Sequence, residues 1–232
     1  MGNNPFNTPP LEAIQERYEK ALLQGDSGLV HDCIQDALGQ KLHPQQIYLE
    51  VLLPTVCRIR RKGREGSLDP LFEEYAITLS LEQTHLLRDV HPIGADLRRH
   101  VAVLVLEKGL GRFEGYLAAD LLRMDGWKVD YFSKPVAIDS LASFWQHRPI
   151  DLLVFLGKEP VDWMNLQARR QAIPAEITWP ACLVVGVQEM PFYMTQDGKT
   201  SWKVCSGLQQ LLTAARETIG GKGENKGPSP WA

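Results

Sequence analysis

At His100 the apolar residues stop recurring at helical spacing and gather into short unbroken blocks. That change divides the chain into two parts that must fold by different rules. Val101-Ala102-Val103-Leu104-Val105-Leu106 is continuous apolar sequence. A run this short cannot span a bilayer, and it has no polar side to offer water, so it predicts a strand covered on both faces. Further strands are predicted at Trp127–Phe132, Leu152–Leu156 and Cys182–Val187, with a weaker one at Thr200–Val204. Amphipathic stretches alternate with them: one carrying Leu117, Ala118, Leu121 and Leu122, then Asp139–His147, Val161–Ala172 and Leu208–Ile219. Strands alternating with helices at this spacing imply right-handed βαβ units and a parallel sheet over residues 98–220.

Ahead of this region the pattern is helical. Leu11, Ile14, Tyr18, Ala21 and Leu22 form one stripe, and Gly25-Asp26 stops that helix. Asp26 or Ser27 caps a second helix with Leu29, Val30, Cys33, Ile34, Ala37 and Leu38 on one side, closed by Gly39. His43-Pro44 opens a third through Ile47, Tyr48, Val51 and Leu52, which Pro54 is expected to kink or interrupt. The basic run Arg58, Arg60, Arg61, Lys62 and Arg64 then reads as a solvated turn, with contact to an acidic partner as the alternative. Asp69-Pro70 starts a fourth helix through Ala76 and Leu79 to about Leu87. Four helices with short connections predict a bundle over residues 11–92, with His91-Pro92-Ile93-Gly94 as the linker. The polar arm 1–10 and the Gly/Lys/Pro-rich tail 221–232 are expected to be disordered.

The net charge of −3 gives no basic balance, which argues against direct nucleic-acid binding. There is no membrane-length apolar run and no signal pattern. Cys33, Cys57, Cys182 and Cys205 are scattered, with no Cys-x-x-Cys pair, which suggests a reducing cytoplasm and neither a disulfide scaffold nor a zinc site. No nucleophile–base pair and no carboxylate pair stands out, so an enzyme is not expected.

In an open α/β sheet ligands sit beyond the carboxyl ends of the strands, which directs attention to Glu107–Gly115, Gly157–Pro160 and Val187–Gly198. The first contains Gly109-Leu110-Gly111-Arg112-Phe113-Glu114-Gly115. Backbone N–H groups there are able to cradle phosphate, and Asp130 is placed to meet a ribose hydroxyl, so a dinucleotide is one alternative. Arg112, Phe113 and Glu114 head this turn. Trp127 and Trp145 are expected in the core, and Trp163 and Trp202 as lining for a ligand. His85, His91 and His100 are potential metal ligands, of which His91 in the linker and His100 at the start of the first strand read first as structural or exposed.

Three phrases carry a resemblance. Tyr18-Glu19-Lys20-Ala21-Leu22-Leu23-Gln24-Gly25-Asp26 looks like an opening helix with a Gly-Asp stop. Ile47-Tyr48-Leu49-Glu50-Val51-Leu52-Leu53-Pro54 looks like a third cap helix of the form Ile-Tyr-x-x-Val-Leu-x-Pro. Ala118-Ala119-Asp120-Leu121-Leu122-Arg123-Met124-Asp125-Gly126-Trp127 looks like a first α/β helix entering a Gly-Trp strand start. Over roughly residues 11–220 the chain resembles the cobalamin-binding module of methionine synthase, corrinoid carriers and light-sensing cobalamin regulators. The resemblance implies a four-helix bundle followed by a flavodoxin-like, Rossmann-like sheet domain, with a ligand held between cap and sheet.

The resemblance also implies where a cofactor would be met. The family's axial histidine falls on or near Gly111, and Glu107–Gly115 contains no histidine. The cap residues over the cofactor's upper face correspond to Arg64 and Glu74-Tyr75. The serine after the third strand is replaced by Leu156-Gly157, and the paired glycines after the fourth are reduced to Gly186-Val187. A flat tetrapyrrole (cobalamin, haem or a bilin) would then meet Arg64, Glu74, Tyr75, Gly111, Arg112, Phe113, Glu114, Gly115, Gly157, Gly186 and Val187. The plainer alternative leaves Arg64 in a basic turn and Tyr75 capping the bundle core. The expected role is a regulatory sensor acting through a protein partner such as a transcriptional repressor. About ten residues precede the first helix, so no DNA reader is expected, and homo-oligomerisation stays open. A corrinoid methyl carrier and a ligand-free adaptor are the alternatives.

Overall fold

The computed structural model describes residues 11–91, 94–106, 111–157, 164–166, 168, 178–186 and 202–220. The expected arm, tail and Val187 fall outside the described residues, as do Trp163 and most of the two loops that follow residues 157 and 186. The chain divides into two compact units, Met1–Pro92 and Ile93–Ala232, each taken by itself below.

The helical unit holds α1 (Leu11–Gln24), α2 (Ser27–Gly39), α3 (Pro44–Gln46), α4 (Leu53–Arg64) and α5 (Pro70–Val90). Gly25 turns α1 into α2 at φ +66, a conformation costly for any residue with a Cβ, and the Asp26 carboxylate accepts from the Leu29 N–H to start α2. Asp69 does the same for α5 through the Leu71 N–H, with Pro70 in its first turn.

Pro54 stands at the point where the expected interruption of the third segment takes the form of a change in helix type. Between α3 and α4 the backbone stays helical through a π-helical turn, Ile47–Leu52, in which the Leu53 N–H bonds to the Tyr48 carbonyl five residues back. The wider turn precedes the proline, which has no N–H to give the carbonyl four residues back. The Glu50 carbonyl accepts from Gln15 Nε2 of α1. The basic run is corrected, because it is helical and largely paired rather than a solvated turn. Arg58 Nε and Lys62 Nζ each lie 2.7 Å from the Glu19 carboxylate, and Arg60 faces Glu73 at 4.0 Å.

The unit's core joins Ile14, Tyr18 and Leu22 to Val30, Ile34, Val51, Val56, Ile59 and Leu87. Two buried phenols find partners: Tyr18 donates to Ser80 Oγ at 3.0 Å and Tyr48 to the Thr84 carbonyl at 2.9 Å. Burial pushes the Tyr18 phenol well above its ordinary range, so it remains a donor.

The second unit is a parallel sheet of β1 (His100–Val105), β2 (Lys128–Phe132), β3 (Leu152–Leu156), β4 (Ala181–Val185) and β5 (Trp202–Cys205), in the order β2-β1-β3-β4-β5. This is the flavodoxin-like order, with the chain reversing direction between β1 and β3. Helix α6 (Arg112–Met124) packs on the Val105 face, and α8 (Leu211–Gly220) contacts both α6 and β4. Helix α7 (Ile138–His147) covers the opposite face, where Leu141, Ala142 and Trp145 meet Ala102, Leu104, Leu153, Phe155, Cys182 and Val184. β3, β4 and β1 from Val101 onward are apolar, as suits strands covered on both faces.

Candidate functional site at the carboxyl edge of the sheet

Three strands end at a common level. The Leu106 N–H bonds to the Leu156 carbonyl at 3.0 Å, the Gly157 N–H to Val185 at 3.2 Å, and the Gly186 N–H to Cys205 at 3.0 Å. One further ladder bond therefore follows each of β1, β3 and β4 before the chain leaves the sheet. Gly157 is buried, and Gly186 turns at φ +104, which only glycine adopts without strain. This edge, at the point where strand order reverses, is where a ligand meets such a sheet.

Gly111 is the N-cap of α6 and places no side chain on the helix's first N–H groups. The helix starts at Arg112, so the sequence-based reading of Glu107–Gly115 as one loop is corrected. Arg112 is exposed, whereas Phe113, Glu114 and Gly115 are buried on the helix. A Cβ at Gly115 would stand 2.5 Å from Val105 Cγ2 and 2.9 Å from the Tyr131 hydroxyl, so close approach of helix to sheet requires this glycine. The Tyr131 hydroxyl donates to the Arg112 carbonyl at 2.8 Å, tying β2 to the start of α6. Burial pushes that phenol up to about 12. Sequence reasoning missed Tyr131; an aromatic with a polar tip at the end of a half-covered strand was the available signal.

At the end of β5, burial pushes the Cys205 thiol up to about 11, and its Sγ lies 3.6 Å from the Gly207 carbonyl. A neutral buried thiol is neither a nucleophile nor a metal ligand. No cluster of His, Cys, Asp and Glu among the described residues suits a metal ion.

The α/β unit contains His100 and His147, and both belong to the opposite edge. His100 opens β1 and is buried, with Nδ1 2.9 Å from the Pro149 carbonyl and Nε2 2.7 Å from Asp130 Oδ2. Asp130 also pairs with Arg148 at 3.0 Å. The ribose role considered for Asp130 is thus corrected, since its partly buried carboxylate is committed to His100 and Arg148 toward the amino edge. His147 Nδ1 lies 2.8 Å from the Ser143 carbonyl. Trp127 and Trp145 are buried as expected. Trp202 begins β5 at the amino edge and packs on Phe155 and Trp179, with ring centroids 6.0 and 6.2 Å away, and so does not line the carboxyl edge.

In the helical unit, Arg64 ends α4, and Glu74 and Tyr75 lie on α5, all exposed. The Tyr75 ring lies over the α1–α2 turn, where a Cβ at Gly25 would come within 2.9 Å of it. Leu71 and Phe72, which sequence reasoning passed over, are exposed beside it at 76% and 51%. His91 stacks edge-on against His43 at 4.8 Å, and burial followed by the His91 charge lowers the His43 value.

No protein-family model and no curated protein matches the sequence. Among solved structures, the Methanosarcina barkeri monomethylamine corrinoid protein matches with a TM-score of 0.67 at 10% identity, over 90% of this chain and 99% of that one. The chain has the fold of a corrinoid protein. The methanol:cobalamin methyltransferase complex from Methanosarcina barkeri matches more loosely, with a TM-score of 0.45, 14% identity, and 92% and 82% coverage. A novel cobalamin-binding protein from Desulfitobacterium hafniense DCB-2 gives 0.43, 11%, 92% and 100%. No helix among the described residues is long and apolar enough to cross a membrane.

A corrinoid fold raises the question of whether this chain's residues suit a cobalt corrinoid. The donor set does not suit one ligated by the protein. The edge presents Leu106, Gly111, Gly157, Gly186, Ser206 and Gly207, and the segments 107–110, 158–163 and 187–201 contain no histidine.

Proposed function

We propose that this protein is a regulatory sensor on the corrinoid-protein scaffold that binds a tetrapyrrole-type ligand at the carboxyl edge of its sheet and acts through a protein partner. The observation that carries the proposal is the placement of both α/β-unit histidines at the amino edge, with His100 held at both ring nitrogens. A carrier that passes a methyl group to and from cobalt must stabilise several cobalt states through its axial ligand, and this unit offers no imidazole for that work. A sensor needs only to bind in a way that shifts affinity for a partner. The fold shared with the monomethylamine corrinoid protein favours a second reading, a corrinoid methyl carrier.

Titration of the purified chain with hydroxocobalamin, haem and biliverdin, followed by visible absorption, tests the proposal. A saturable spectral change with one of them supports it. No change with any of the three leaves a ligand-free adaptor and removes the sensor reading. Methyl transfer to the bound corrinoid by a cognate methyltransferase would establish the carrier instead.

A further inference from the structure

We propose that His43 and His91 form a pH-sensitive latch, which fastens the last turn of α5 at neutral pH and releases it on acidification. His43 is the N-cap of the helical run that begins at Pro44. Its Nδ1 accepts from the Gln45 N–H at 3.3 Å, and its own backbone N–H donates to Gln46 Oε1 at 3.2 Å. The helix thus starts on a reciprocal pair of bonds. An accepting ring nitrogen needs a lone pair, and the imidazolium form has none, since both of its nitrogens carry hydrogen. Only the neutral ring makes this cap.

Against that ring lies His91, the C-cap of α5, whose N–H bonds to the Arg88 carbonyl at 3.3 Å. The two rings meet edge-on with centroids 4.8 Å apart. His91 also stands where the helical unit ends in the chain, one residue before its boundary at Pro92. The elements packed here further carry Lys41 in the turn before α3, Glu50 in the π-helical turn, and His85, Arg88 and Asp89 near the end of α5. Burial, and then the His91 charge, holds the His43 value below the ordinary histidine range. A proton on His43 removes the cap, sets a cation at the positive end of a helix, and faces the His91 charge. A histidine value depressed in the folded state adds stability that is present above the unfolded value of about 6.5 and fades as pH falls toward the folded one. Acidification therefore loosens the start of α3 and the end of α5 together.

The test uses the full chain and needs no ligand. An NMR titration of the imidazole resonances reads the protonation of each histidine. Hydrogen exchange read by mass spectrometry follows segments 42–47 and 86–91 at about pH 7 and about pH 5, scaled to intrinsic rates, with α6 as the reference. The expected result is a His43 value below about 6.5 and a several-fold fall in protection of both segments relative to α6 at the lower pH. His43→Asn keeps an N-cap acceptor that does not titrate, so it should hold its neutral-pH protection and lose the response. His91→Phe keeps an edge-on ring without the charge and should shrink the response. A His43 value at or above the ordinary one, level protection in wild type, or an undiminished response in His43→Asn overturns the latch. Where His43→Asn folds poorly, an undiminished response in His91→Phe overturns it instead.

Discussion

Gly115→Ala separates two explanations of the glycine at the start of α6 by the sign of its effect. If the glycine serves helix–sheet packing, the new methyl carbon meets Val105 Cγ2 at 2.5 Å and the Tyr131 hydroxyl at 2.9 Å. Carbon contacts are comfortable at about 3.5–4.0 Å, so α6 must lift by roughly 1 Å. Neither obstacle yields easily, because Val105 is β-branched and buried and Tyr131 is bonded to Arg112. Overpacking of this kind costs about 1–3 kcal/mol. Alanine returns about 1 kcal/mol over glycine in a helix interior. The net is a loss of about 1 kcal/mol, or roughly 2–4 °C in Tm for a chain of this size. If the glycine serves only to admit a ligand, the helix gain stands alone and the ligand-free protein becomes more stable by a similar amount. Thermal and urea unfolding of ligand-free wild type and variant resolve a gap of about 2 kcal/mol. Val105→Ala should cost less in the Gly115→Ala background than in wild type, with a coupling of about 1 kcal/mol. An unchanged or raised Tm for Gly115→Ala, with no coupling, refutes the packing argument.

Two further outcomes are expected. His100→Ala removes a partner from the Pro149 carbonyl and from Asp130, which keeps Arg148, and should lower stability by about 1–2 kcal/mol; a double-mutant cycle with Asp130→Ala that shows no coupling would contradict the network. Burial works against the Glu19 carboxylate, but hydrogen bonds from Lys62 and Arg58 outweigh it and hold the carboxyl below its ordinary range. A depressed folded value adds stability that is present above the unfolded value of about 4.3 and is lost as pH falls through the folded one. Wild type should therefore lose more stability than Glu19→Gln between neutral pH and about pH 3 in denaturant unfolding; equal losses would remove the assignment.

Much of the fold was legible from residue order. The apolar blocks at 101–106 and 152–156 are too short for a buried helix and rich in β-branched residues, which favours doubly covered strands, and Gly25-Asp26 and Asp69-Pro70 are local stop and start signals whose chemistry needs no distant partner. That the interruption at Pro54 takes the form of a π-helical turn, with Gln15 of α1 bonded to the Glu50 carbonyl, was not legible, because it involves a remote side chain. The run Arg58–Arg64 was misread for a similar reason, since the carboxylates that make a helical course favourable there, Glu19 and Glu73, belong to other helices.

The candidate site divides the same way. The absence of histidine from 107–115 is a fact of composition and was visible at once. That the remaining α/β histidines stand at the opposite edge, and that Asp130 points to His100 rather than to a ribose, depends on the parallel pairing that sets His100 opposite Lys128 with Asp130 two residues along the same strand. Helix, strand and turn choices are governed by neighbours a few residues apart, which order alone specifies. Which acid meets which base, and whether a glycine faces a ligand or a valine, is decided only when segments far apart in the chain are brought within a bond's reach.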